Sequence, residues 1–383
     1  MPAFSLARLL CVGVRVHLVD PSAFTPPYDH ALAAAVAAAG AEVELFTSRF
    51  AYGPVTIPAG YRREETFYRL AGRVGDARAR RLVKLAEHVP DMLRYRRRAA
   101  AADVVHFQWL TVQHLDGLLL PARRRGRPLV LTAHDILPRE ARPGQRAAQR
   151  RLYGRFDAVV AHSEHGRRRL LEELGVESDR VHVIPHGVFA HLAEQPAGEG
   201  PLDAPPFQTE LPVVLCFGLM RPYKGIDVLL DAWRGIDGAE LWIAGMARMD
   251  IAALRAAAPP NVRFAPRFIG DAELPAYFRA ASLVVLPYRE IDQSGVLFTA
   301  LAFGRPLLLS DVGGFPEVAA TGAARIVPAG DPAALHDALA SLLGDPAQLQ
   351  EMSERAVLAG EGEYSWSSIG QRTLALYERL RAA

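Results

Sequence analysis

Short β-branched runs alternate with alanine- and leucine-rich helical segments along this chain, and the alternation occurs twice. In the first half, residues 14–19, 42–47, 104–107, 129–133, 158–161 and 181–184 read as strands, with helices at 30–39, 111–125 and 164–174 between them. In the second half, 213–217, 240–244, 262–264, 283–286, 306–309 and 326–327 read as strands. Helices are expected at 226–233, 271–281, 295–303, 332–343 and 366–380. Apolar strands joined by helical crossovers build parallel sheets, so the fold class is α/β, with two Rossmann-like parallel-sheet domains. Residues 190–212 separate the halves; they carry Pro196, Pro201, Pro205, Pro206 and Pro212 with Gly198 and Gly200, and read as a linker. The first domain is expected over 1–192 and the second over 210–365. Two such halves imply a cleft lined by strand carboxyl ends, where open α/β sheets bind ligands.

Composition narrows the possible partners. Half of the 383 residues are hydrophobic and 22% are charged, an ordinary globular balance. The net charge of +2 carries no nucleic-acid signal. Charge is uneven, however: residues 61–98 hold twelve Arg or Lys against five Asp or Glu. That stretch reads either as a solvated helical face or as a peripheral contact with an anionic membrane or acceptor. Two cysteines, Cys11 and Cys216, lie in apolar stretches and read as small buried hydrophobes. The uncharged apolar run near the start is too short for a signal peptide, and no run of 18 apolar residues exists to span a membrane. A cytoplasmic protein is expected.

The chemistry concentrates in VVLCFGLMRPYKGIDVLLDAW, residues 213–233. A buried strand runs into Gly218, and a short loop then carries Arg221, Pro222, Tyr223, Lys224 and Gly225 before a helix. Arginine offers a planar fork for phosphate oxygens and lysine a compact point charge. The pair reads either as a grip able to neutralise a diphosphate leaving group without a metal or resident cofactor, or as the solvated basic residues of a surface loop. Of 44 basic residues only Lys84 and Lys224 are lysine, which makes a lysine at this position notable. A second stretch, LPYREIDQSGVLFTALAFGRPLLLSDVGGFPEV, places Ser294 and Gly295 at a helix start. Such a start attracts anions, although a plain serine N-cap reads equally well from the residues alone.

These motifs resemble those of glycosyltransferase family 4, retaining nucleotide-sugar enzymes of GT-B fold. Gly218, Lys224 and Gly225 keep the family's Gly-Arg…Lys-Gly spacing, with Leu219 in the usual arginine place and Arg221 two residues later. Ala300, Ala302, Gly304, Pro306, Gly313, Gly314, Pro316 and Glu317 match its later elements. The resemblance implies a catalytic and diphosphate-binding role for Arg221 and Lys224. It also implies a nucleotide-sugar site at Gly218, Ser294 and Gly295. Two glutamates usual in the family are absent, their places taken by Ile291 and Thr299. Glu290, Asp292 and Gln293 remain as alternatives for sugar contacts, with Thr299 at the ribose position. His134, after the strand at 129–133, corresponds to a histidine near the donor sugar and is expected to be catalytic. Tyr28, Asp29, His106, Trp109 and Asp135 form the expected acceptor side, with helix capping for Asp29 and core packing for Trp109 as the structural alternatives. His186 and Gly187 match a loop with a hinge role. The final helix, about 366–383, is implied to complete the first domain.

The expected reaction moves a sugar from a nucleoside diphosphate sugar to an acceptor hydroxyl. An epimerase or sugar phosphorylase of the same fold, or a non-catalytic nucleotide-sugar binding subunit, are the competing readings, because fold alone does not fix function.

Overall fold

A computed structural model describes residues 13–50, 53, 55–110, 112–124, 126–137, 144–194 and 207–383. Cys11, the start of the chain and most of the expected linker (195–206) lie outside the described residues. The chain divides into two compact units. Unit 1 comprises Met1–Ala161, Arg169–Ile184 and Trp366–Ala383, and unit 2 comprises His162–Arg168 and Pro185–Ser365.

Unit 1 holds a seven-stranded sheet of order β3-β2-β1-β4-β5-β6-β7, every pair parallel. The strands are β1 (Arg15–Asp20), β2 (Glu42–Ser48), β3 (Arg62–Phe67), β4 (Val104–Phe107), β5 (Leu129–Thr132), β6 (Ala158–Ala161) and β7 (Val181–Val183). Helices α1 (Pro26–Ala38), α2 (Ala77–Arg98), α3 (Gln113–Leu119), α4 (Gln145–Tyr153) and α5 (Glu164–Glu172) connect them. Central strands such as LVLT and AVVA are buried throughout, because helices cover both faces of a parallel sheet. β3, RREETF, is the exception. It lies at the edge, and charge there discourages further pairing. Arg62 bridges to Glu42 and Glu44 of β2, and Arg98 of α2 lies 3.5 Å from Glu64. No apolar alternation announces such a strand, which is why sequence reading missed it.

Unit 2 repeats the plan with six strands in the order β10-β9-β8-β11-β12-β13, all parallel. They are β8 (Val213–Phe217), β9 (Glu240–Ala244), β10 (Val262–Ala265), β11 (Ala281–Leu286), β12 (Leu307–Ser310) and β13 (Ala324–Val327). Its helices are α6 (Ala190–Ala193), α7 (Ile226–Ala232), α8 (Ala252–Ala257), α9 (Leu274–Ala280), α10 (Gly295–Ala302), α11 (Phe315–Ala319), α12 (Pro332–Leu343) and α13 (Pro346–Glu361). Asp331 starts α12 by accepting from Ala333 and Ala334 N–H at 2.9 and 3.0 Å, a normal carboxylate cap.

The last helix, α14 (Trp366–Ala382), lies in unit 1 against α1. The approach is close: a Cβ at Gly370 would stand 2.5 Å from the Ala35 carbonyl oxygen. In both sheets the strand order reverses beside the first strand, at β1/β4 and at β8/β11. Those switch points are where doubly wound sheets leave a crevice for ligands. No helix among the described residues is long and apolar enough to cross a membrane.

Candidate active site

In unit 2 the switch point is built by the loops after β8 and β11. Gly218 leaves β8 with φ +113, a conformation open to glycine. A side chain there would meet Val296 Cγ2 at 3.2 Å and Lys224 Nζ at 4.0 Å. The bare glycine backbone, the lysine ammonium and the first turn of α10 therefore converge on one point. Lys224 is buried, with its ammonium 3.7 Å from the centroid of the Tyr288 ring and 5.4 Å from that of Tyr223. An ammonium over an aromatic face is attracted by the ring quadrupole. The Cys216 thiol nearby is pushed up to about 12 by burial, so it stays uncharged beside that ammonium.

The loop carrying Lys224 is held from the β11 side. Gly225, at φ +65, has no room for a side chain, since a Cβ would stand 2.0 Å from the Pro287 carbonyl oxygen. Arg289 N–H donates to the Tyr223 carbonyl at 2.8 Å. The Arg289 guanidinium donates to the Pro222 carbonyl at 2.9 Å and to both carboxylate oxygens of Asp227 at 2.8 and 2.6 Å. Arg221 is exposed at the start of the single turn Pro222–Lys224.

Around α10 the expected residues separate. Ser294 occupies the N-cap position but its hydroxyl makes no capping bond, lying instead 3.4 Å from the Tyr288 hydroxyl. The plain serine cap is thus not what the structure shows. Ser294 N–H donates to Gln293 Oε1 at 3.2 Å, which ties Gln293 to the helix start. Glu290 is exposed and Asp292 buried. Thr299 is buried, and its hydroxyl donates to the Gly295 carbonyl at 3.0 Å, so the expected ribose position faces into its own helix. The loop ahead of α10 packs on the Gly313–Gly314 turn, where a Cβ on Gly313 would stand 2.0 Å from the Ile291 carbonyl oxygen. Glu317 accepts from Glu164 and His165 N–H, both at 2.9 Å, and so caps α5. His186 stacks on Phe298 of α10 at 4.5 Å, and burial together with His162 pushes its imidazolium down to about 3.

In unit 1 an aromatic group gathers at the ends of β1, β4 and β5. Trp109 and His134 stack at 4.8 Å with an 8° interplanar angle. Tyr28 meets His134 edge-on at 4.7 Å and Trp366 at 5.3 Å. Trp109 Nε1 donates to Thr25 Oγ1 at 2.9 Å. Asp135 is exposed beside this group. His106 is put to a different use from the acceptor contact expected of it. It is buried, with Nε2 2.8 Å from Thr132 Oγ1 and Nδ1 2.6 Å from the Tyr377 hydroxyl, and so fastens α14 to the sheet. Asp29 does not cap α1, whose N-cap position is Thr25. Asp29 is buried and hydrogen-bonded to Asp20, and burial and that neighbouring charge hold its carboxyl well above the usual range. Gln108, which directly follows β4, is 1% exposed, and neither amide atom has a hydrogen-bond partner among the described residues. A buried amide in that state has donor and acceptor capacity open to a water or a polar ligand.

Residues 28–190 match the family model described as glycosyltransferase family 4, and 211–345 match glycosyl transferases group 1. A D-inositol 3-phosphate glycosyltransferase of Catenulispora acidiphila is 30% identical over 308 residues, 72% of either chain. The chain belongs to glycosyltransferase family 4. A second relative of this family 4 enzyme, a phosphatidyl-myo-inositol mannosyltransferase of Mycobacterium leprae, is 36% identical over 235 residues, 57% of this chain and 58% of that one. The crystal structure of Anabaena HepE in complex with UDP-glucose shares the GT-B fold. It has a TM-score of 0.68 and 16% identity, and the match covers 96% of this chain and 100% of that one.

Sequence reading of this glycosyltransferase singled out Gly218 and Lys224 as candidates but not the groups packed against them. Tyr288 and Arg289 sit within the quoted LPYREIDQSG stretch, and the Arg directly after Pro-Tyr was the available signal. Gln108 was visible as a polar residue ending an apolar strand, without a sign that it would be buried.

Proposed function

We propose that this enzyme transfers a sugar from a nucleoside diphosphate sugar to an acceptor hydroxyl with retention of anomeric configuration. The observation that carries the reading is the convergence of Lys224 Nζ and the start of α10 on Gly218. A lysine charge and the first N–H groups of a helix stabilise the diphosphate as negative charge builds on it. Arg221, exposed at the loop start, adds a fork for a phosphate oxygen. With that charge supplied by side chains, the reading calls for no metal or resident cofactor. Gln293, bonded to the helix start, is proposed to contact the nucleotide sugar in place of the missing glutamates. In the proposed step the bond from anomeric carbon to phosphate oxygen breaks and the acceptor oxygen bonds to the same face. The acceptor proton passes to the departing diphosphate. In unit 1, His134 is oriented by its stack on Trp109 and is the proposed catalytic histidine.

A peripheral membrane contact is also proposed, with the cytoplasm as the place of action. α2 buries His88, Asp91, Met92 and Tyr95 and leaves Leu82, Leu85 and Leu93 exposed among Arg78, Arg81, Arg96 and Arg97. Exposed leucines interleaved with arginines fit an anionic bilayer surface.

The test is turnover of a panel of nucleoside diphosphate sugars with inositol phosphate and glycolipid acceptors, with product anomers read by proton NMR. Retained configuration supports the proposal. Inverted product, or isomerised donor with no transfer, overturns it.

A further inference from the structure

Asp20 ends β1 with its side chain fully buried, and the chain after it winds back onto that carboxylate. Ser22 N–H donates to Oδ1 at 3.0 Å, and Phe24 and Thr25 N–H donate to Oδ2 at 2.5 and 3.4 Å. Within the turn Ala23 takes φ +49, in the left-handed region that residues with a Cβ seldom occupy. Such a conformation is strained and persists only where surrounding bonds impose it. Hydrogen bonds to a carboxylate are stronger than those to a neutral acceptor, and the three made by Asp20 supply that constraint.

The turn ends in two residues that touch Trp109. Thr25 Oγ1 accepts from Trp109 Nε1 at 2.9 Å, and the Phe24 ring lies 5.0 Å from the indole. The Trp109 backbone is anchored separately, since Gln108 N–H donates to the Val19 carbonyl at 2.8 Å. β1 therefore sets where Trp109 begins, and the turn wound on Asp20 sets which way its ring faces. His134 stacks on that ring, 8° from parallel. The second aromatic neighbour of His134, Tyr28, stands in the first turn of α1, whose N-cap position is Thr25. Both ring contacts of His134 are thus reached from one turn. With no exposed surface, Asp20 acts through these neighbours and not on a substrate.

We propose that Asp20 is a positioning residue for sugar transfer: by gathering the 22–25 turn it holds Thr25 and Phe24 against Trp109, and through Trp109 it sets the plane of His134. The inference rests on the transferase reading above, which makes His134 catalytic. An amide in place of the carboxylate keeps one acceptor oxygen and turns an NH2 group toward backbone N–H groups. Asp20→Asn should therefore loosen the turn without removing bulk.

The test uses the full chain and two readouts. The first needs no turnover: the indole Nε1–H resonance of Trp109, assigned by its loss in Trp109→Phe, reports the bond to Thr25 through its hydrogen-exchange rate. The second is kcat and donor KM with the donor and acceptor selected from the panel above. Tm and nucleoside diphosphate affinity serve as the controls for folding. Asp20→Asn and Thr25→Val should each speed indole exchange about tenfold or more and lower kcat roughly tenfold, with donor KM and diphosphate affinity within about twofold of wild type. Because both act through one contact, the double variant should lose little more than either single variant, whereas independent structural damage would multiply the two losses.

The proposal is overturned if Asp20→Asn leaves indole exchange or kcat at the wild-type value, or if the double variant loses the product of the two. If Asp20→Asn does not fold, Thr25→Val carries the test, and wild-type exchange or kcat in that variant overturns the proposal. A wild type that turns over no donor refutes the transferase reading instead, and the indole readout still decides whether Asp20 holds Trp109.

Discussion

The Lys224 ammonium lies 3.7 Å from the centre of the Tyr288 ring, and this contact joins the loop after β8 to the loop after β11. It fixes a buried cation at the switch point. Tyr288→Leu should weaken nucleoside diphosphate binding about 3- to 10-fold, as expected for losing one desolvated cation–π contact. Tyr288→Phe should keep most of the affinity. Titration calorimetry of both variants decides, and equal losses would show that the hydroxyl, not the ring, matters.

Gly225 is irreplaceable for steric reasons. With φ +65 and a Cβ position 2.0 Å from the Pro287 carbonyl oxygen, Gly225→Ala must push the Lys224 loop off β11. A destabilisation of about 2–4 kcal/mol is expected, together with loss of diphosphate affinity. Thermal unfolding reads the first; an unchanged Tm would show that the two loops separate at no cost.

Gln108 offers a trade between stability and activity. Its amide is buried and unbonded among the described residues. Gln108→Met should raise stability by about 1 kcal/mol while lowering kcat/KM for transfer by an order of magnitude. A variant that loses stability would mean that the amide has a structural role.

Two buried groups set opposing pH dependences. Asp29 has a raised carboxyl pKa, so its contribution is full below the ordinary value of 3.8 and is lost as pH rises through the folded value. Asp29→Asn cannot ionise, so its Tm should exceed that of wild type at alkaline pH and approach it in acid. His186 is held down to about 3 from 6.5, chiefly by burial. Its contribution is present above 6.5 and lost as pH falls toward the folded value. His186→Gln should flatten the acid side of the profile. Tm measured from pH 3 to pH 9 tests both, and parallel profiles for wild type and variants would refute the assignment.

The exposed α2 face predicts a salt-dependent membrane contact. Arg96→Glu with Arg97→Glu should reduce sedimentation with anionic vesicles about tenfold or more, at roughly 1 kcal/mol for each basic residue near the surface. Neutral vesicles should bind little in any case. Equal sedimentation with both vesicle types would show that charge is not the attraction.

Much of this was legible in the residues. Buried parallel strands such as β5 and β12 are continuous apolar runs, and the glycine–lysine spacing placed Gly218 and Lys224 in one loop. β3 was not legible and α2 only as an arginine-rich helical face without bounds, because a charged edge strand and an arginine-rich helix lack the apolar period that marks a buried element. His106 looked like a site residue because it ends a strand, but its partner, Tyr377, stands 271 positions away. Asp29 looked like a cap because its type favours caps, whereas Pro26 opens the helix earlier and turns Asp29 inward. Contacts across such distances in sequence leave no local mark.

The most direct measurement is calorimetric titration of UDP, GDP and ADP into wild-type protein and Lys224→Ala, with Tm as the control for folding. At least one diphosphate should bind the wild type, and Lys224→Ala should bind it at least tenfold more weakly with Tm little changed. Equal affinity in the variant, or no diphosphate bound by the wild type, would contradict the assignment of this switch point as the diphosphate site.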